Sequence, residues 1–216
     1  MLVSVRKRRG MESRDPALQA LLDDIRECTD CNIVCQRTPV VYSAITPKIM
    51  VVSETPLQRA WEGGLGREWE CSLEAKKVKK GTTRELCKLL DILDEADQLF
   101  FWIQRANCSV DRRRGDVFSH CSGNFIQRAI EVVKPRLVIT LGQSATWYFL
   151  PFAHISDVVG SRHVQKVGAV EYTLVPMFHP SKANEASRKH HEVEHKKSIA
   201  HAKEIIKQIK REAKSE

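Results

Sequence analysis

Four short apolar runs, at residues 48–53, 99–104, 136–142 and 172–178, alternate along the chain with segments of helical periodicity. No other feature limits the fold as much. Each run has the length of one strand and is apolar at nearly every position, so both of its faces must be buried. Between the runs, residues 82–93 carry Leu86, Leu89, Leu90 and Leu93 at helical spacing. Residues 124–133 read as a helix stopped by Lys134 and Pro135, and 144–150 as a helix that follows a turn on Gly142. The alternation predicts a three-layer α/β/α sandwich around a central, mostly parallel four-stranded sheet. Ligands of such sheets bind beyond the carboxyl ends of the strands.

Asp15 and Pro16 open a further helix that runs to about Cys28, with Leu18, Leu21, Leu22 and Ile25 on one face. At the other end, 187–216 predict a long charged helix with Ile199, Ala202, Ile205, Ile206 and Ile209 turned inward. Residues 1–13 hold the basic cluster Arg6, Lys7, Arg8 and Arg9 and read as a flexible arm, leaving 14–216 as a single domain. The stretch 58–80 predicts an irregular basic loop.

Lys and Arg exceed Asp and Glu by 35 to 27, a net charge of +8. That surplus suits a polyanion such as nucleic acid, and equally a solvated Lys-rich surface. No apolar run is long enough to cross a bilayer, and nothing reads as an export signal. Seven cysteines in such a chain predict a reducing, cytoplasmic setting in which thiols bind metals rather than pair. Nothing in the pattern demands more than a monomer.

Four of the cysteines stand out. Cys28 and Cys31 form a Cys-x2-Cys pair ahead of the first strand, and Cys108 and Cys121 follow the second strand with twelve residues between them. Soft thiolates from two distant segments are what a structural metal or an iron–sulfur cluster requires. The wide spacing of the second pair, across the loop with Arg112, Arg113 and Arg114, suits a cube-shaped cluster better than one tetrahedral ion. Cys35 could compete as a ligand, whereas Cys71 and Cys87 read as buried thiols.

The strand ends carry a second group of candidates. Glu54 follows the first strand, Gln104 ends the second, and His179, Pro180 and Ser181 follow the last. In a parallel sheet these positions converge on one cleft. A carboxylate can activate water, an amide can read a base edge, and a histidine can stabilise a developing oxyanion. A third pattern, His191-Glu192-Val193-Glu194-His195 with His201 beyond it, matches the zincin motif literally. Ser198 stands where the extended motif needs a glycine, and an unbroken helix would point His201 away, so this reads as a chance match on a solvated face.

In order along the chain stand Cys28-Thr29-Asp30-Cys31, Arg37-Thr38, Ser53-Glu54-Thr55-Pro56-Leu57, Gln104, Cys108, Cys121, the strand turn from Pro135 to Gly142, and His179-Pro180-Ser181. Over about residues 16–190 this resembles the uracil-DNA glycosylase superfamily, and most of all its iron–sulfur family 4 branch. The resemblance implies a DNA glycosylase that flips out a deaminated base and hydrolyses its N-glycosidic bond in base excision repair. Uracil is the first expectation, with hypoxanthine and xanthine next. It implies a [4Fe–4S] cluster on Cys28, Cys31, Cys108 and Cys121. Glu54 would hold the attacking water and His179 would steady the departing base. Ser53, Thr55, Pro56, Gln104 and Ser181 would line the base site, and Lys182, Arg188, Arg112 and Arg113 would contact DNA.

The chain also departs from that pattern. Ser53 and Leu57 replace two glycines of the first motif, and Gln104 replaces a base-reading asparagine. The family's stacking phenylalanine has no counterpart: Lys79 takes its place, with Trp61 or Trp69 as substitutes. Two other readings therefore stand beside the hydrolase. One is a non-catalytic [4Fe–4S] DNA-binding protein of the same fold, and the other a glycosylase-like protein that forms a covalent adduct with DNA.

Overall fold

The structure is a computed structural model, and it describes residues 15–30, 41–55, 82–93, 95–108 and 115–215. Helix α1 (Pro16–Glu27) is started by Asp15, whose carboxylate accepts from the N–H groups of Ala17 and Leu18, with Pro16 at the first helical position. Strands β1 (Tyr42–Ser43) and β2 (Ile49–Ser53) follow, then α2 (Thr82–Leu90), α3 (Ala96–Leu99) and β3 (Phe100–Gln104). Next come α4 (Gly115–Val133), β4 (Leu137–Leu141), α5 (Gln143–Phe149), α6 (Ile155–Val158), β5 (His163–Val167) and β6 (Val170–Met177). The chain closes with α7 (Glu185–His190) and α8 (Glu192–Glu212).

The sheet runs β1-β3-β2-β4-β6-β5. Its inner four strands, β3-β2-β4-β6, are parallel, as the apolar runs predict. Two antiparallel edge strands extend it: β1 on β3, and β5 in a hairpin with β6. The hairpin was legible in principle, since its two-residue loop places Gly168 at φ 56° between alternating positions. Its short polar strand hid it.

Alternate residues of each inner strand build two separate cores. Ile49, Val51, Phe100, Trp102, Leu137, Ile139, Val175 and Met177 pack under α2 and α8. Met50, Val52, Phe101, Ile103, Val138 and Leu174 pack under α1, α4 and α5 on the opposite face. Every residue of β2, β3 and β4 is buried, which is why these strands read as unbroken apolar runs rather than as alternation.

Three helix boundaries differ from expectation, the first being α2, which was read to residue 93 but ends at Leu90, before Asp91 at φ 56°. The helix placed at 124–133 starts at Gly115, so Cys121 lies within α4 rather than in a loop. Its end is as predicted: Lys134 takes φ 48° and Pro135 cannot continue the helix. The long terminal helix is two, broken at His191, whose φ of −111° and ψ of 43° interrupt the ladder between α7 and α8. The arm at 1–13 and the loop at 58–80 lie outside the described residues, as do Cys31, Cys35, Pro56, Leu57, Trp61, Trp69, Cys71, Lys79, Arg112 and Arg113.

Candidate active site

Parallel register brings the strand ends level. Ser53 of β2 pairs with Gln104 of β3, and Leu141 of β4 with Met177 of β6. Backbone bonds extend this edge past the strands: Arg105 and Ala106 donate to the carbonyls of Ser53 and Glu54, and Gly142 donates to Met177. A Cβ on Gly142 would lie 3.6 Å from the Cβ of His179, and its φ of +87° suits glycine, so β4 turns into α5 directly beside the histidine. The topology thus places Glu54, Gln104 and His179 along one edge.

Gln104 is the unusual member. It is 1% exposed, and neither its amide nitrogen nor its amide oxygen has a hydrogen-bond partner among the described residues. Leaving such a group dry costs about 1–3 kcal/mol per orphaned atom. A buried donor and acceptor held side by side at a strand end form a ready counterpart for the edge of a base. The backbone holds this residue firmly, because the N–H of Gln104 donates to Oδ1 of buried Asn107 at 3.1 Å.

His179 is half-buried, and its Nδ1 accepts the Ser181 N–H at 3.3 Å. In the neutral ring that bond places the proton on Nε2, the kind of donor that a developing negative charge calls for. Arg188 fixes this turn, donating through one guanidinium nitrogen to the carbonyls of His179 at 2.6 Å and Ser181 at 2.7 Å. Expected to meet phosphate, Arg188 is thus also a clamp on the histidine loop. Lys182 is exposed beside it.

Glu54 and Thr55 are half-buried, and the Thr55 hydroxyl donates to the Cys108 carbonyl at 2.8 Å. The Ser53 hydroxyl accepts the indole N–H of Trp102 at 3.1 Å. That bond accounts for a serine where sequence reasoning expected only close backbone approach. Arg105, which sequence reasoning missed, bonds the hydroxyl of Ser122 and both the carbonyl and hydroxyl of Ser144, and lies over the Phe118 ring. Burial lowers its pKa, opposed by the charge of Glu54 and then of Tyr148. A permanent cation thus shares the field of Glu54.

Three of the four expected cluster ligands are described. Cys28 ends α1 and packs against the apolar core that contains Cys121, and Cys108 follows Asn107. Both the backbone and the side-chain N–H of Asn107 donate to Cys121 Sγ at 3.4 Å. N–H groups aimed at sulfur fit a ligating thiolate. Among the described residues no group of three or more potential ligands stands together. Cys87 differs: burial pushes its thiol up to about 12, the state of an inert packing residue.

The zincin-like pattern takes a different form from the solvated face that its sequence suggests. His195 is 7% exposed and sits 6.1 Å from the Phe178 ring, while His191, at the helix break, stacks on Phe178 at 5.5 Å. These histidines wall the residue immediately before His179.

The family model for the uracil DNA glycosylase superfamily matches residues 39–210. The chain is also 28% identical, over 177 residues, to a type-4 uracil-DNA glycosylase of Sulfurisphaera tokodaii, covering 77% of this chain and 76% of that protein. With the parallel sheet, the glutamate and histidine at its carboxyl edge and the ordered cysteines, the family-model match means that the chain belongs to the uracil DNA glycosylase superfamily of DNA N-glycosylases.

Proposed function

We propose that this protein extrudes a deaminated base from DNA and hydrolyses its N-glycosidic bond, with uracil as the principal substrate. The observation that carries the reading is the buried amide of Gln104, unpartnered among the described residues, at the edge shared with Glu54 and His179. An extruded uracil offers an N–H donor next to a carbonyl acceptor, the complement of that amide. Hypoxanthine and xanthine share this donor–acceptor pair but are larger. The methylene that separates glutamine from asparagine narrows the space, which favours the single-ring base.

In this mechanism Glu54 accepts a proton from water as the water oxygen bonds to the sugar carbon. The glycosidic electron pair leaves on the base nitrogen, and the charge delocalises onto the base oxygens. Nε2–H of His179 donates to that oxygen, and Arg188 holds the histidine turn in place. Thr55 ties the Glu54 segment to the Cys108 segment. Because Nδ1 of His179 already accepts the Ser181 N–H, the ring presents a donor rather than a lone pair, which favours hydrolysis over a covalent histidine adduct.

Cys28, Cys31, Cys108 and Cys121 are proposed to hold a [4Fe–4S] cluster, with Asn107 donating to the Cys121 sulfur. Bound there, the cluster would be a structural clasp between the α1 end and the segment behind Gln104. Lys182, Arg112 and Arg113 are proposed phosphate contacts in a cytoplasmic, monomeric repair enzyme. Among the described residues no helix is long and apolar enough to cross a membrane.

The test is base release from oligonucleotides that each carry one uracil, hypoxanthine or xanthine, read as alkali-labile sites, with Glu54→Ala and His179→Ala as controls. Release by the wild type alone supports the reading. Silence on every base, from brown protein that still binds DNA, moves the assignment to a non-catalytic binding protein, and a slow-migrating band on denaturing gels moves it to the covalent class.

A further inference from the structure

Arg105 follows Gln104 directly and joins three elements at the catalytic edge. Its backbone N–H donates to the Ser53 carbonyl at 2.9 Å, and the next N–H, of Ala106, donates to the Glu54 carbonyl at 3.1 Å. The main chain at Arg105 therefore holds the segment that bears Glu54. The side chain reaches the other way. Nη1 donates to the carbonyl of Ser144 at 3.0 Å and to its hydroxyl at 3.3 Å, in the first turn of α5. Nε donates to the Ser122 hydroxyl at 3.4 Å, and that hydroxyl donates back to the Arg105 carbonyl at 3.1 Å. Ser122 is buried in α4 and follows Cys121. The guanidinium carbon lies 5.5 Å from the centre of the Phe118 ring.

Ser144 matters because of what precedes it. Gly142 donates its N–H to the Met177 carbonyl at 2.8 Å, and a Cβ on Gly142 would lie 3.6 Å from that of His179. A brace on Ser144 thus holds the turn against which His179 rests. Packing alone does not call for an arginine here. Burial lowers its pKa, the mark of a charge drawn out of water at a cost. An apolar residue would fill the junction with a smaller penalty. What arginine adds is a planar fork of fixed geometry, able to bond two helices at once.

We propose that Arg105 is a positioning residue that sets the separation of Glu54 from His179, by bracing the first turn of α5 and the middle of α4 against the end of β3. This rests on the reading of Glu54 and His179 as the hydrolytic pair. Hydrolysis needs the water on Glu54 and the base oxygen on His179 at one fixed distance, and a misplacement of about 1 Å can cost about 100-fold in rate. The two groups stand on different strands, so no local turn sets that distance. The fork does so by bonding one strand end to the helix that follows the other. It also ties the catalytic edge to the helix that carries Cys121.

The test uses the full-length holoprotein with Arg105→Met, Arg105→Lys and Ser122→Ala. Release of uracil from duplex DNA gives the maximal rate and the half-saturating concentration. Iron per chain is measured beside them, and hydrogen exchange is followed in peptides spanning 141–146 and 49–53. Arg105→Met should lower the maximal rate by about 10–100-fold, with half-saturation within about twofold and iron unchanged. Arg105→Lys keeps the charge without the fork and should fall nearly as far, while Ser122→Ala falls by less. Exchange should quicken at 141–146 in all three and stay at the wild-type rate at 49–53. A wild-type rate in Arg105→Lys, a change confined to half-saturation, or unaltered exchange at 141–146 overturns the proposal. Should Arg105→Met lose its iron, the other two variants decide the matter on the same readouts. A wild type that releases no base sinks the hydrolytic reading, and the exchange result then supports or overturns the brace by itself.

Discussion

Replacing Gln104 with methionine should make the protein more stable and leave it unable to recognise its base. The side chain is 1% exposed and both amide atoms are orphaned among the described residues, so the folded protein carries two desolvated polar atoms with nothing in return. At about 1–3 kcal/mol each, their removal by a residue of similar length and volume is worth about 2 kcal/mol after allowance for imperfect packing. For a chain of this size that is a rise in Tm of about 4–8 °C. The same change removes both bonds to the base and leaves the base's own polar edge unpaired in a buried site. Sites built to hydrogen-bond a substrate discriminate against the missing bond by about 10⁴-fold or more, so kcat/KM for uracil in DNA should fall by that order. Thermal melting and single-turnover base release read the two effects on one preparation. A Tm that stays level or drops refutes the claim that the amide is held dry and waiting. Base release within tenfold of wild type refutes its role as the reader, whatever the Tm does.

Arg188→Met removes both bonds to the His179 and Ser181 carbonyls, and bonds from a charged donor are worth about 1.5–3 kcal/mol each. The histidine turn should loosen, lowering kcat by about 10–100-fold with a smaller change in KM; an effect confined to KM and salt dependence would make Arg188 a phosphate contact only. His195 has its pKa lowered from the usual value, first by burial and then by the charge of Arg188, so the unfolded chain binds its proton more readily than the folded one. Its contribution is therefore complete above the unfolded value of about 6.5 and is lost as pH falls through the lower folded value. His195→Phe should flatten the Tm profile below about pH 6.5, and an unaltered slope would refute the assignment. Asn107→Leu deletes two donors to Cys121 Sγ and the acceptor for the Gln104 N–H, which should lower both Tm and the iron content per chain; full iron occupancy at unchanged Tm would show that these bonds support neither.

The chain and its fold agree where local chemistry is strong. The four buried strands were legible because both of their faces lie in cores, and burial on two sides writes an uninterrupted apolar run. The start of α1 was legible because Asp15 and Pro16 act within their own turn. Helix α4 was placed nine residues short, since its first turns carry Gly115, Ser119 and Gly123 and owe their helicity to Val117, Phe118 and Cys121 packing against the core. The break at His191 escaped notice because the charged run around it reads as one continuous helix, and what marks it in the fold is a non-local contact, the stacking of His191 on Phe178.

The site divides in the same way. Residue identity and order alone marked Glu54, Gln104, His179 and the cysteines, because catalysis and metal binding require particular functional groups at strand ends and in close pairs. Identity says nothing about whether a polar group finds a partner. Only the tertiary structure decided that Gln104 is left unsatisfied among the described residues while Ser53 is taken by Trp102, that Arg188, expected to meet phosphate, braces the histidine turn, and that His195 turns inward. Hydrogen bonds and burial join residues far apart in the chain, such as Ser53 with Trp102 and Gly160 with Ser198, and no local pattern encodes such meetings. The sequence determined which chemistry the sheet edge could carry; packing between distant segments determined which of those groups remain available to perform it.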